Sequence, residues 1–140
     1  MKIHSSALRT WLAVGGLTTA SLGLVGVASS AAQASEIDLE ASMGASAGFP
    51  AAHGHAEYDA DASHREFDLS VGGLQSLAGH RVVVRVHGDV VARPTVGPRG
   101  HVHVDRHAGV PRVAAGNVVR LRTSSGTLVS SGTFRVHPDD

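Results

Sequence analysis

Histidine is the residue type in this sequence with the most chemical potential, and two pairs of histidines have a suggestive spacing. His53 and His55 form one pair, and His101 and His103 form the other within the stretch GHVHVDRHAG, residues 100–109. Side chains two residues apart on a β-strand point to the same face, so each pair places two imidazoles roughly 7 Å apart on one face. Two such pairs on adjacent strands could bind one zinc or copper ion, because imidazole is a ligand for both metals.

A second interpretation treats the same histidines as ordinary polar residues on a solvent-exposed strand face. Val102 and Val104 alternate with His101 and His103, so the valines would face the core and the histidines would face water. We adopt this second interpretation as the expectation. A metal site is the alternative, with four candidate ligands: His53, His55, His101 and His103.

Alternation of apolar and polar residues predicts that β-strands position these histidines. In residues 37–43, 67–71 and 82–86, apolar side chains recur at every second position, which is typical of strands with one buried face. Windows of helical length lack the three-and-four spacing of an amphipathic helix. Further strands are predicted at residues 53–59, 90–96, 101–105, 117–123 and 127–136, which gives about eight strands.

Turn residues separate the predicted strands at short intervals. Gly88-Asp89 predicts a type II′ hairpin, because glycine readily adopts positive φ. Residues 97–100, Gly-Pro-Arg-Gly, are typical of a type I turn, and residues 61–63 and 124–126 predict two more hairpins. The predicted fold is all-β, an antiparallel β-sandwich of immunoglobulin-like type. Its predicted core residues are Phe67, Leu69, Val82, Val84, Val86, Val102, Val104, Val119, Leu121 and Phe134.

Residues 1–34 have the features of a helical secretory signal peptide that is cleaved. Two cations and no acid lie in the first nine residues, a moderately apolar stretch follows at 11–27, and Ala32-Gln33-Ala34 is a small-x-small cleavage site. Glycine, serine and threonine dilute the apolar stretch below the roughly 20 strongly hydrophobic residues of a membrane span. We therefore expect one secreted, extracellular domain, residues 35–140, with no membrane span after processing.

Composition limits the partners and the stabilising chemistry of this domain. After cleavage it would hold ten arginines, no lysine and twelve acids, a net charge of −2 with neutral histidines. Such a balance provides no polybasic patch for nucleic acid or an acidic membrane. The chain has no cysteine, so no disulfide is expected. Arginine-, alanine-, glycine- and valine-rich usage without lysine is typical of a GC-rich bacterial genome such as an actinomycete's.

Charge is divided unevenly along the domain. Residues 35–68 carry eight acids and one arginine, whereas residues 69–140 carry nine arginines and four acids. One interpretation pairs outward-facing acids with arginines on neighbouring strands, each pair contributing about 0.2–1 kcal/mol. Those arginines are Arg81, Arg85, Arg120 and Arg122. The other interpretation docks an acidic edge strand, residues 36–43, on a basic edge of a second copy. We expect a monomer or weak self-association.

Four motifs, GHAEYD, LAGHRVVVRVHGDVV, GVPRVAAG and SGTF, lie within the run from about Phe49 to Val136. This run resembles small β-sandwich segments of uncharacterised secreted bacterial proteins, a resemblance that implies no activity and no functional residues. GLQSLAGHRVVVRVHGD also resembles a histidine-rich strand of copper/zinc superoxide dismutases in its rhythm. Arg85-Val86-His87 stands where that family has His-Val-His, and the family's disulfide cysteines are absent. Because a first metal ligand is missing, we expect no dismutase activity.

Catalytic signatures are weak throughout the sequence. It has no Walker loop, no His-Glu-x-x-His and no calcium loop, and no strand-turn-helix is predicted that could hold a nucleophilic serine. Four aromatic residues in the domain are too few for a platform that stacks sugars or bases. We therefore predict no catalytic and no cofactor-binding residues. The expected function is a secreted, non-enzymatic binding or structural module with an unidentified partner, and the alternative is a histidine-based zinc or copper protein.

Overall fold

Nine β-strands form one antiparallel sheet in the computed structural model, which describes residues 36–138. The strands are β1 Ile37–Ala45, β2 His53–Ala60, β3 Arg65–Gly72, β4 Val82–Val86, β5 Asp89–Ala92, β6 Val102–Arg106, β7 Val118–Thr123, β8 Leu128–Thr133 and β9 Arg135–Val136. A short 3₁₀-helix, Gln75–Leu77, follows β3. The predicted signal peptide, residues 1–34, and the predicted cleavage site lie outside the described residues.

The sheet has the strand order β5-β4-β7-β8-β1-β2-β3-β6, with β9 added to β1, and it nearly closes into a barrel. β1 links the two halves, because residues 37–43 pair with β2 while Gly44 and Ala45 pair with β8. The all-β, antiparallel class predicted from the sequence is therefore confirmed. The largest differences from the predicted bounds are that residues 127–136 divide into β8 and β9 and that the strand predicted at 90–96 is only β5, residues 89–92.

The buried core lies between the inner faces of the two halves. All ten predicted core residues are buried, and they belong to one continuous cluster with Leu39, Met43, Tyr58 and Val129. Alternation explains this result: in β3 the buried positions are Phe67, Leu69 and Val71, and the positions between them face outward. The polar face of each strand is thereby fixed on the outside of the sheet.

The hairpin between β4 and β5 differs from the prediction by one residue. His87 and Gly88 both have positive φ, 49° and 89°, which is the signature of a type I′ turn. The predicted type II′ turn at Gly88-Asp89 is wrong, because the chain turns one residue earlier and Asp89 already begins β5. The predicted turn at residues 97–100 is confirmed by a hydrogen bond from Gly100 N to Gly97 O of 3.0 Å.

Seven carboxylates lie at outward positions of β1, β2, β3 and β6. Cross-strand register places Asp38 beside Asp59 and Asp59 beside Glu66, and it aligns Glu40, Glu57, Asp68 and Asp105 in a second row. We call these seven side chains and the surface they cover the acidic face. Like charges directly opposite on neighbouring strands destabilise a sheet.

The arginines expected to pair with these acids lie on or beside β4 and β7, where Arg85 on β4 is directly opposite Arg120 on β7. Within residues 36–138, no arginine side chain forms an ion pair with a carboxylate within 4.0 Å; the ion pairs found there all involve histidine. The interpretation that Arg81, Arg85, Arg120 and Arg122 neutralise the acids through cross-strand pairs is therefore wrong. The reason is topological, because β4 and β7 are separated from β2 and β3 by β8 and β1. The register instead places Arg135 on β9 beside Glu40.

Among residues 36–138, no helix has the length and apolar character needed to cross a membrane.

Candidate metal centre

Two imidazoles and one carboxylate meet at one end of the acidic face, beside the turn between β2 and β3. His64 Nε2 lies 3.8 Å from Glu66 Oε2, and His107 Nδ1 lies 3.6 Å from the same oxygen. One possible ligand atom from each residue lies within 4.8 Å of the others, and this is the one such group of three among residues 36–138. The three side chains are therefore close enough to share one ion.

Strand periodicity explains why these residues converge. His64 and Glu66 are two residues apart and point to the same side of β3, as do Asp105 and His107 at the end of β6. β3 and β6 are paired with Phe67 opposite Arg106, so the next step of the antiparallel register brings Glu66 opposite His107. Neighbouring strands lie about 4.8 Å apart, which sets the separation of the ligands.

The β2–β3 turn holds His64 through the carboxylate of Asp61. Asp61 Oδ1 accepts hydrogen bonds from the backbone N–H of Ser63 at 2.8 Å and of His64 at 2.9 Å. These backbone donors, Ser63 first, lower the pKa of Asp61 below its ordinary value. In return, the backbone N–H of Asp61 donates to His64 O at 3.0 Å, which closes the turn.

Asp105 determines which nitrogen of His107 faces the site. His107 Nε2 lies 2.8 Å from Asp105 Oδ1, so Nε2–H donates to this carboxylate. In the neutral ring, Nδ1 then carries the lone pair, and this nitrogen lies 3.6 Å from Glu66 Oε2. A carboxylate that accepts from the outer nitrogen of a metal-binding histidine is the usual second-shell partner of such ligands.

Two of the three donor separations in this group are close to the spacing of donors around a small cation. Zinc bonds nitrogen and oxygen at about 2.0–2.2 Å, so two donors of a tetrahedral site lie roughly 3.3–3.5 Å apart. The separations of 3.6 and 3.8 Å exceed this spacing by a few tenths of an ångström. A hydrogen bond from an imidazolium to a carboxylate would be about 2.7–2.9 Å, which is much shorter than either separation.

The two rings are stacked and open to solvent. Their centroids are 5.9 Å apart with an interplanar angle of 28°. The side chains of His64 and His107 are 52% and 54% exposed, so an ion can reach both nitrogens from water. Three protein ligands leave a fourth tetrahedral position for another ligand.

A cavity of about 600 Å³ adjoins the two imidazoles. His64 and His107 form part of its wall, and Arg65 and Arg112 supply two positive charges. The apolar part of the wall consists of Ile37, Tyr58, Ala60, Ala62, Val110, Val113 and Ala114. The candidate centre therefore faces the acidic face on one side and a basic, partly apolar cavity on the other.

The acidic face has an electrostatic cost that a cation would reduce. Burial is the largest cause that raises the pKa of Asp59, followed by the carboxylates of Asp38, Glu66, Glu57 and Glu36. Glu66 thus belongs both to the candidate ligand set and to the group of charges that repel Asp59. A bound divalent cation beside Glu66 would offset part of this repulsion.

The four histidines predicted as ligands lie on the same outward face, toward the other end of β2 and β6. β3 separates the two pairs, since His55 and His103 both lie opposite Ser70 in the register. The strands that carry the pairs are thus about 9–10 Å apart, twice the spacing of neighbouring strands. The prediction of one shared ion required the two histidine pairs to lie on adjacent strands, and they do not.

Gly72 brings two of these histidines nearer to each other. A Cβ at Gly72 would lie 3.6 Å from His53 Cε1 and 3.5 Å from His101 Cδ2, so both rings pack over this glycine. His53 Nδ1–H donates to Ala51 O at 2.9 Å, and His101 Nε2 hydrogen-bonds Ser70 Oγ at 2.9 Å. His53 and His101 therefore lie close together over Gly72, whereas His55 and His103 lie on either side of Ser70. Metal binding by these four residues stays a prediction.

Residues 44–48 form a Gly-x-Ser-x-Gly motif around Ser46. Ser46 Oγ hydrogen-bonds Leu128 O and Val129 O, both at 2.9 Å. The chain continues from β1 into turns and not into the helix of a nucleophile elbow. Ser46 therefore fastens the end of β1 to β8.

The chain matches no protein-family model, and no curated protein is similar to it at a significant level.

Proposed function

We propose that this protein is a secreted, non-enzymatic binding module whose ligand is a zinc or copper ion held by His64, Glu66 and His107. One observation carries the proposal: Asp105 lies 2.8 Å from Nε2 of His107, while Nδ1 of the same ring lies 3.6 Å from a Glu66 oxygen that is itself 3.8 Å from His64 Nε2. The metal-binding alternative predicted from histidine content is thereby favoured, with a different set of residues.

The spacing of the donor atoms supports a metal ion at this position. One nitrogen of His107 and one of His64 lie 3.6 and 3.8 Å from the same Glu66 oxygen, close to the separation of two donors in one zinc site. Two nitrogens and an oxygen around one point are a donor set for zinc or copper, and imidazole donors disfavour calcium and magnesium.

The finer fold assignment that goes with this function is an immunoglobulin-like β-sandwich. β1 takes part in both halves of the sheet, and both inner faces contribute to one core. These features support two layers that share a strand. Export rests on the predicted signal peptide and on the resemblance of residues 49–136 to segments of secreted bacterial proteins.

Isothermal titration with zinc, and then copper, tests the proposal on protein purified without an affinity tag. We expect one ion per chain, and we expect His107→Ala or Glu66→Gln to remove most of the affinity. The matched control is the double variant His53→Ala with His101→Ala, which deletes two imidazoles from the same face at its other end.

Three outcomes separate the possibilities. Loss of binding in His107→Ala with retention in the control supports the proposed centre. Loss in the control alone would transfer the site to the histidines over Gly72. Absence of binding to the unaltered protein would reject a metal function and leave a binding module for another ligand.

A further inference from the structure

We propose that the cavity beside the metal centre binds a small organic acid, a 2-hydroxycarboxylate in chemical class, which also ligates the metal. This inference rests on the proposed function and deepens it by assigning a ligand to the fourth coordination position. The acid would bridge the ion and the arginine-bearing wall of the cavity.

The metal ligands and the cavity share a wall. His64 and His107 both line the cavity, whereas Glu66 does not. An ion held by the two imidazoles is therefore at the boundary between the acidic face and the cavity. Anions are repelled on the acidic side, so the cavity is the favourable side from which an anionic ligand can complete the coordination.

The charge of the cavity wall also favours an anion. Arg65 and Arg112 line it, and the single carboxylate on the wall belongs to Asp61. That carboxylate already accepts the N–H groups of Ser63 and His64. Arg65 uses one N–H to donate to Val110 O at 3.0 Å, and a guanidinium has five N–H donors in total.

The size and the apolar surface of the cavity restrict the acid. Ligand pockets typically have volumes of about 300–1,000 Å³, and this cavity has about 600 Å³. Side chains such as Ile37, Val110 and Val113 offer contact to a short hydrocarbon portion. A 2-hydroxycarboxylate provides one carboxylate oxygen for the arginines and the other for the fourth metal position. Its hydroxyl oxygen would expand the metal to five-coordinate, and its substituent supplies a small apolar group.

Cobalt(II) provides a direct test, because it accepts the same tetrahedral nitrogen and oxygen ligands as zinc and has a visible spectrum that responds to its coordination. The cobalt-loaded protein is titrated with lactate, with acetate and with inorganic phosphate as comparison anions. We expect a saturable spectral change with lactate at lower concentration than with acetate or phosphate. Gel filtration after the titration verifies that cobalt stays on the protein.

Arg112→Gln is the informative variant, because this exposed arginine lines the cavity and is outside the proposed ligand set. We expect it to weaken lactate binding at least about tenfold while changing cobalt affinity less than about twofold. Arg99→Gln is the matched control, since Arg99 is also exposed but lies in the turn of residues 97–100, outside the cavity wall.

The outcomes for the organic acid and for the metal are distinguishable. If cobalt binds and lactate leaves its spectrum unchanged, or if Arg112→Gln and Arg99→Gln affect lactate equally, the inference is overturned and the metal centre stands. A stronger response to phosphate than to lactate rejects the organic acid in favour of an inorganic anion. If cobalt does not bind, the metal centre and the inference fail together.

Discussion

Asp105→Asn is the perturbation that tests the geometry of the metal centre most directly. The substitution keeps the size of the side chain and removes the charge that holds His107 Nε2 at 2.8 Å. Asparagine can also present its amide N–H₂, which would favour the tautomer with the lone pair on Nε2 and turn a donor N–H toward Glu66. Metal affinity should fall although none of the three proposed ligands has changed.

The size of the effect follows from the exposure of the pair. Removal of a second-shell carboxylate typically lowers metal affinity by about 10–100-fold, or roughly 1.4–2.8 kcal/mol. Asp105 and His107 are 49% and 54% exposed, so solvent screens their interaction and the lower end of this range applies. We therefore expect a zinc dissociation constant about tenfold higher, with an unfolding temperature in the absence of metal close to that of the unaltered protein.

Asp68→Asn is the matched control. Asp68 is on β3, directly opposite Asp105 on β6, so the control removes one negative charge from the same row of the acidic face. Its carboxylate is 3.7 Å from His103, whereas the ion pairs of His107 are with Glu66 and Asp105. Zinc titrations of both variants under identical buffer conditions give the two dissociation constants to be compared. Equal losses of affinity would refute the orienting role of Asp105 and attribute both effects to general charge.

Three further predictions concern stability. Asp59 has a raised pKa, so its contribution to stability is present below the ordinary value of 3.8 and is lost as the pH rises through its folded pKa; Asp59→Asn should raise Tm at pH 7 and give no gain at pH 3. Equal gains at both pH values would contradict the repulsion on the acidic face. Asp61 has a lowered pKa, so its contribution is present above 3.8 and is lost as the pH falls through its folded pKa. Asp61→Ala should therefore lower Tm at pH 7, and the difference in Tm from the unaltered protein should become smaller in acid. It should also weaken zinc binding, because the turn no longer holds His64. Val84 is fully buried, and Val84→Asp should abolish the far-ultraviolet circular dichroism signal of β-structure, since the domain would have to bury an unpaired charge; a folded variant would place the core elsewhere.

Local pattern was sufficient to predict the strands and their buried faces. In β3, Phe67, Leu69 and Val71 are buried because alternation is a property of each strand by itself. The order of the strands in the sheet could not be predicted in this way, because it depends on which strands far apart in the sequence pair with each other. The placement of β3 between β2 and β6 brings together segments more than 30 residues apart, and the sequence contains no local signal for that choice.

Turn chemistry was predictable to within about one residue, which matters in a hairpin. Gly88 was a sound indicator of positive φ, but His87 also adopts positive φ, and this moves the turn back by one position. A histidine in that conformation is uncommon, so the pattern around Gly88 favoured a turn with glycine alone at positive φ. The type I′ turn matches the right-handed twist of β4 and β5, and this match outweighs the preference of His87 for negative φ.

The residues of the candidate metal centre have the same two-residue spacing as the histidine pairs, but each pair combines a histidine with an acidic residue. His64-x-Glu66 and Asp105-x-His107 each place two polar side chains on one face, just as His53-x-His55 and His101-x-His103 do. What selects the mixed pairs is the pairing of β3 with β6, in which Glu66 comes opposite His107 while His103 comes opposite Ser70. Along the strand, His101 and His107 are six residues apart, roughly 20 Å, so the two ends cannot share one ion. The two histidine clusters are therefore separate candidates, and a variant at one end leaves the chemistry of the other intact.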